Sequence, residues 1–193
     1  MLTLESFLVS TGVVAVAEIG DKTQLLSMCM AARFRRPFAI TLGILAATLA
    51  NHAAAAFAGT LAGDLLAGPW MSWILGLSFL AVAAWVLIPD RLDAGAGAGA
   101  GVGAYGAFLA TLVAFFLAEM GDKTQVATVA LAARYSAVAS VTAGTTLGMM
   151  IANVPAVLGG AALAGRLPLK AIRVAAAAMF AALGVAALLG WGR

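Results

Sequence analysis

Residues 38–62 contain no Asp, Glu, Lys or Arg. Five further mainly apolar segments accompany them, at about 4–32, 70–88, 105–133, 137–163 and 170–190. Crossing a hydrocarbon core takes about 20 helical residues, and each segment is near or above that length. Only 10% of the chain is charged, against about 25% in a soluble domain. That polar surface is too scarce to coat a water-soluble globule. Membrane barrels need alternating apolar and polar residues, whereas these runs are continuous and rich in Ala. The sequence therefore predicts an all-α membrane protein with six transmembrane helices.

Charged and helix-breaking residues punctuate the segments. Arg33, Arg35, Arg36 and Pro37 follow the first, and Asp64, Gly68 and Pro69 follow the second. Pro89, Asp90, Arg91 and Asp93 end the third, Arg134 to Ser136 make a short turn, and Arg166, Pro168, Lys170 and Arg173 mark the last loop. Gly and Ala alternate from Ala94 to Gly101, a density of Gly that holds a helix poorly and reads as a flexible linker. With six spans, Arg33, Arg35, Arg36, Arg91, Arg166, Lys170 and Arg173 share one side, while Arg134, Arg193, Glu5 and Asp64 take the other. Basic residues gather in the cytoplasm, so both termini are expected outside it, in a cell inner membrane. The N-terminus does not read as a cleavable signal, because its first charge is Glu5 and its apolar stretch is long. The basic residues form no dense patch, which argues against nucleic acid as a partner. The lone Cys29 excludes an intrachain disulfide and a thiolate metal cluster.

Two stretches match at an offset of 101 residues. Ala17-Glu18-Ile19-Gly20-Asp21-Lys22-Thr23-Gln24 repeats as Ala118-Glu119-Met120-Gly121-Asp122-Lys123-Thr124-Gln125, with seven identities in eight residues. Ala31-Ala32-Arg33-Phe34 aligns with Ala132-Ala133-Arg134-Tyr135, and after a one-residue insertion Asn51 aligns with Asn153. The expected division is a three-helix repeat at 1–90, a Gly/Ala-rich linker at 91–104 and a second three-helix repeat at 105–193. An odd span count inserts the second half upside down relative to the first. Inverted repeats are a common plan for secondary transporters, whose sites lie near the midplane between the repeats. Duplication without transport is the alternative.

Glu18 and Glu119 fall at the centres of their segments. A charge at that depth costs about 2.5–3.5 kcal/mol on insertion scales, so a buried ionisable cluster reads as functional. On a continuous helix, positions i, i+3 and i+4 share a face. That would cluster Glu18 with Asp21 and Lys22, and Glu119 with Asp122 and Lys123. Thr23 and Thr124 would point away, unless the helix unwinds at Gly20 and Gly121. A local break there would also expose backbone carbonyls, as in broken transporter helices. Four carboxylates and two lysines sum to about −2 when all are ionised, which suits one divalent cation. Oxygen ligands suit Mg²⁺, Ca²⁺ or Mn²⁺, and the absence of His and Cys from the motifs argues against Zn²⁺ or Cu⁺. Crowded carboxylates hold protons more readily, so protons would compete with the ion, which is the physical basis of exchange. Gln24, Gln125, Asn51 and Asn153 could add neutral oxygens or act in gating, as could Thr23 and Thr124 in an unwound helix.

Plainer readings stand beside these. Lys22 and Lys123 balance charge in what could be purely structural salt bridges. His52 reads as a hydrogen-bonded packing residue, Met120 as packing filler with a soft metal contact as the rarer use, and Cys29 as a small buried hydrophobe. Gly59-x-x-x-Gly63 and Gly144-x-x-x-Gly148 are helix-contact motifs, within the chain or between two copies, so a homodimer is among the partners the sequence admits.

Two copies of Glu-x-Gly-Asp-Lys-Thr, each opening a three-span half, resemble the signature of the Gdt-type cation/proton exchanger family, and the likeness covers essentially the whole chain. Its bacterial members include manganese exporters of the Mne type. The resemblance implies a secondary transporter and no enzyme. It implies export of Mn²⁺ across the inner membrane in exchange for protons, with Ca²⁺ as a second substrate. It also implies that Glu18, Asp21, Glu119 and Asp122 are the metal-binding acids, with no resident cofactor. The alternatives are a Ca²⁺/H⁺ exchanger, an intramembrane metal-dependent enzyme, and a channel or accessory subunit.

Overall fold

The computed structural model describes residues 2–65, 68, 70–88, 103–159 and 169–190. Among these residues all regular structure is helical: α1 (Leu2–Glu18), α2 (Lys22–Phe34), α3 (Pro37–Leu65), α4 (Met71–Val86), α5 (Ala104–Glu119), α6 (Lys123–Tyr135), α7 (Val138–Gly159) and α8 (Leu169–Leu188). The linker expected at 91–104 lies outside the described residues, apart from Gly103 and Ala104. Lys170 and Arg173, expected in a loop, fall in the first turns of α8.

Two of the six expected segments are not single helices. The segment 4–32 divides into α1 and α2, and the segment 105–133 into α5 and α6. Both breaks have the same cause. Gly20 and Gly121 take left-handed backbone angles, φ 84° and φ 74°, which a right-handed helix cannot contain. The amide of Asp21 then donates to the Glu18 carbonyl at 3.1 Å, and that of Asp122 to the Glu119 carbonyl at 3.2 Å, closing one tight turn in each copy. Helices α5 and α6 meet at 70°. By length and composition, Pro37–Leu65, Val138–Gly159 and Lys170–Leu188 could each cross a membrane alone, and α5 with α6 would make a fourth, bent span. Helix α4 is apolar but shorter.

The outside of the bundle is greasy, and the inside combines apolar packing with buried polar and charged groups. Phe38, Phe57, Leu65 and Trp70 are exposed, whereas Glu18, Glu119, His52 and Asn153 are fully buried. This is the distribution of a chain whose solvent is lipid, and it identifies a multi-pass membrane protein. Cys29 departs from expectation. It is exposed, because α2 turns Leu26, Ser27, Met30 and Phe34 inward instead. Met120 is also exposed and fills no internal gap.

Packing repeats the offset of 101. A Cβ on Gly43 would lie 2.8 Å from the Phe108 carbonyl and 2.9 Å from Thr111 Cβ, while one on Gly144 would lie 2.5 Å from the Phe7 carbonyl and 3.0 Å from Ser10 Cβ. Thus α3 meets α5 as α7 meets α1, with the same positions exchanged between the halves. Gly59 and Gly63 bring α3 against Val129 and Ala133 of α6, and Gly148 seats α7 against Thr11 and Ala15 of α1. Both small-residue motifs are therefore used inside the chain. Phe79 of α4 stacks on Phe180 of α8, again 101 residues away, with ring centroids 6.4 Å apart.

Candidate cation site

The two helix breaks face each other in the interior. Helices α1 and α5 end at Glu18 and Glu119, and α2 and α6 begin directly after Asp21 and Asp122. The C-terminal ends of α1 and α5 bring the negative pole of the helix dipole to this place, and the N-terminal ends of α2 and α6, with Asp21 and Asp122 as their N-cap residues, bring the positive pole. All four acids are buried. One oxygen each of Glu18, Asp21 and Asp122 lie within 4.8 Å of one another, a group drawn from both motifs; Glu119 does not join it. Two oxygens on opposite sides of a divalent ion, each at about 2.1–2.6 Å, stand up to about 5 Å apart, so the spacing fits a shared ion.

The lysines do not pair within their own motifs, as helical spacing predicted. Lys123 Nζ lies 2.6 Å from Asp21 Oδ1, and Lys22 Nζ lies 3.1 Å from Asp122 Oδ1. Unwinding at each glycine turns the Asp off the face it would share with its neighbour, and the facing motif supplies the cation instead. The same unwinding overturns the helical angle that pointed the threonines away. Thr23 Oγ1 donates to Glu18 Oε2, and Thr124 Oγ1 donates to Glu119 Oε2 at 3.0 Å. The other carboxylate oxygens, Glu18 Oε1, Glu119 Oε1 and Asp122 Oδ2, are buried without a hydrogen-bond partner among the described residues. A buried ionised oxygen in that condition costs several kcal/mol, and a proton or a metal ion would relieve it.

The remaining candidates serve the frame. Gln24 Oε1 accepts from the Gly20 amide at 2.8 Å, and Gln125 Oε1 from the Gly121 amide at 2.7 Å, so each satisfies a donor freed by its break. Gln24 Nε2 also donates to the Ala152 carbonyl at 3.0 Å. Asn153 Oδ1 accepts from Ser27 Oγ at 2.6 Å while its Nδ2 donates to the Met149 carbonyl, which ties α2 to α7. Asn51 Nδ2 donates to the Phe116 carbonyl at 2.9 Å. His52 is buried as expected but not hydrogen-bonded as expected: neither ring nitrogen finds a partner among the described residues.

Sequence reasoning missed two residues. Ser27 is one, and its alignment with Thr128, a second hydroxyl 101 residues on, was the signal available. Arg173 is the other. It lines a crevice of about 10 Å³ with Ile19, Gly20, Asp21, Val86, Ile88 and Lys123, room for a single water at most. Nothing in the sequence links Arg173 to the motifs.

The model of the family described as "Divalent cation/proton antiporter GDT1" matches residues 6–94 and 107–192. The chain is 49% identical over 173 residues to a protein of Vibrio cholerae serotype O1 named "Putative manganese exporter", covering 89% of this chain and 84% of that protein. It is 28% identical over 198 residues to a GDT1-like protein of Synechocystis sp., covering 92% and 93% of the two chains. It is 29% identical over 187 residues to GDT1-like protein 4 of Oryza sativa subsp. indica, covering 84% of this chain and 66% of that one. No solved structure matches.

Proposed function

The chain belongs to the divalent cation/proton antiporter GDT1 family, a family of transporters and not of enzymes, and from that premise we propose that it exports Mn²⁺ across the cell inner membrane in exchange for protons. Glu18, Asp21, Glu119 and Asp122 are the acids that take the ion. The observation that carries this is the meeting of carboxylates from both motifs in one buried place, with three oxygens within 4.8 Å. A dication satisfies oxygens that otherwise stand unpartnered, and protons satisfy them when it leaves. Coupling follows, because an empty, fully ionised site is the costly state. Oxygen ligands accept Mn²⁺ and Ca²⁺ alike. The name of the Vibrio cholerae relative favours Mn²⁺.

The frame in this proposal is two inverted repeats, 1–90 and 105–193, joined by the linker at 91–104. It has six spans, counting α1 with α2 and α5 with α6 as one broken span each, and both termini lie outside the cytoplasm. The contacts exchanged between halves at an offset of 101 support it. So does the asymmetry laid over them. Gln24 and Ser27 tie the first motif to α7, while at the equivalent position Thr128 Oγ1 donates within its own helix, to the Thr124 carbonyl. The two motifs are thus anchored differently, as two related halves that move against each other can be.

The test uses Glu18→Gln and Asp122→Asn in the purified chain, reconstituted in vesicles, with Mn²⁺, Ca²⁺ and proton fluxes recorded together. The expected result is proton-coupled Mn²⁺ flux in the wild type and its loss in both variants, with folding intact. Wild-type flux in the variants would refute the site. Faster Ca²⁺ flux would reassign the substrate, and metal current without proton countertransport would make the protein a channel.

A further inference from the structure

The two motif lysines occupy equivalent sequence positions but unequal surroundings. Lys123 is 4% exposed, at 2.6 Å from Asp21, and the crevice beside it is narrow and lined by Arg173. Lys22 is 24% exposed, at 3.1 Å from Asp122. Both Asp residues belong to the three-carboxylate group, together with Glu18. Each ammonium therefore holds an oxygen-bearing group that a dication would need. Lys22 has an exposed direction in which to withdraw; Lys123 has Arg173 and a tight crevice around its partner.

Occupancy points the same way. Asp122 Oδ1 cannot ligate a dication while the Lys22 ammonium holds it at 3.1 Å, and an ammonium and a dication at one carboxylate oxygen repel each other. The bond between Lys22 and Asp122 is also the longer of the two.

Resting on the cation-site reading above, we propose that Lys22 is a tethered competitor of the transported ion. Its ammonium occupies Asp122 when the site holds no metal. It swings toward the exposed side when the dication binds, and its return to Asp122 helps expel the ion. Lys123 stays on Asp21 throughout as the fixed counter-charge. The equivalent residues of the two motifs thus have different work, one mobile and one fixed.

The experiment measures Mn²⁺ binding and release on the purified full-length chain. Lys22→Gln removes the competitor, so Mn²⁺ binds severalfold tighter, leaves more slowly and turns over less. Lys22→Arg keeps a cation on Asp122 and binds no tighter than wild type. Lys123→Gln removes the fixed charge and does not reproduce the tightening. An independent readout uses the wild type alone. A water-soluble acetylating reagent modifies Lys22 faster with Mn²⁺ present than without, since binding frees the amine, and mass spectrometry locates the label. Weaker or unchanged binding in Lys22→Gln overturns the proposal, as does Mn²⁺ slowing acetylation at Lys22 or leaving it unchanged. If the wild type itself binds no Mn²⁺, the cation-site reading fails, and this inference fails with it.

Discussion

Replacing Gly121 by Ala isolates the cost of the helix break. A Cβ at Gly121 would meet nothing within 4 Å, so no clash enters. What remains is the left-handed backbone, φ 74°, which costs an L-residue with a Cβ about 1–2 kcal/mol. For a chain of this size each kcal/mol lowers the melting temperature by about 2–4 °C, so Gly121→Ala should melt about 2–8 °C below wild type in detergent. Gly121→Asn should lose less, because Asn visits left-handed angles more readily. Gly59→Ala is the contrast. Its backbone is helical, but the new Cβ would collide with the Val129 carbonyl, and its loss should match or exceed that of Gly121→Ala without any rescue by Asn. Transport should fall more steeply than stability in Gly121→Ala, since straightening the break moves Glu119 and Asp122 relative to each other. Thermal melting with parallel Mn²⁺ flux decides the matter. Equal losses for Ala and Asn at 121, or none for either, would refute the attribution of the break to backbone conformation.

Two further outcomes are expected. Lys123→Met leaves a carboxylate buried without its 2.6 Å partner and should cost about 3–5 kcal/mol; adding Asp21→Asn should restore most of the stability but none of the transport, as melting and flux assays would record. Ser27→Ala and Asn153→Ala remove the same α2–α7 hydrogen bond, so a double-mutant cycle on unfolding should show a coupling of about 1 kcal/mol, and additive losses would argue against it.

Much of the fold was legible because the membrane leaves few choices. Continuous apolar runs could only be helices, and the offset of 101 marked the two motifs whose carboxylates the structure brings together. The breaks were legible only as the alternative to a continuous helix. Gly20 and Gly121 sit inside apolar stretches that hydropathy reads straight through, and a glycine in a helix interior is often tolerated. The left-handed turn is supported locally, by Gln24 and Gln125, which accept from the amide freed four residues earlier in each motif. Helical arithmetic then failed at the residues just past each turn: the lysines found the opposite Asp, and the threonines found their own Glu.

The pairing across motifs explains why sequence symmetry and structural asymmetry coexist. Lys22 and Lys123 are equal by position, as are Asp21 and Asp122, so local rules assign them identical partners. Helices α4 and α8 differ in composition at the equivalent positions. Position 173 is Arg, whereas 101 residues earlier it is Ser72, and Arg173 adds a positive charge to the crevice that Asp21 and Lys123 line. Second helices differ too: Ser27 reaches Asn153, whereas Thr128 donates to the Thr124 carbonyl one turn back, an option open to a threonine hydroxyl in any helix. Those differences lie outside the eight-residue motif, which is why the motif alone reads as one site with two equal halves. Lys22, partly exposed, and Lys123, enclosed, therefore differ in surroundings although the repeat makes them equivalent in sequence.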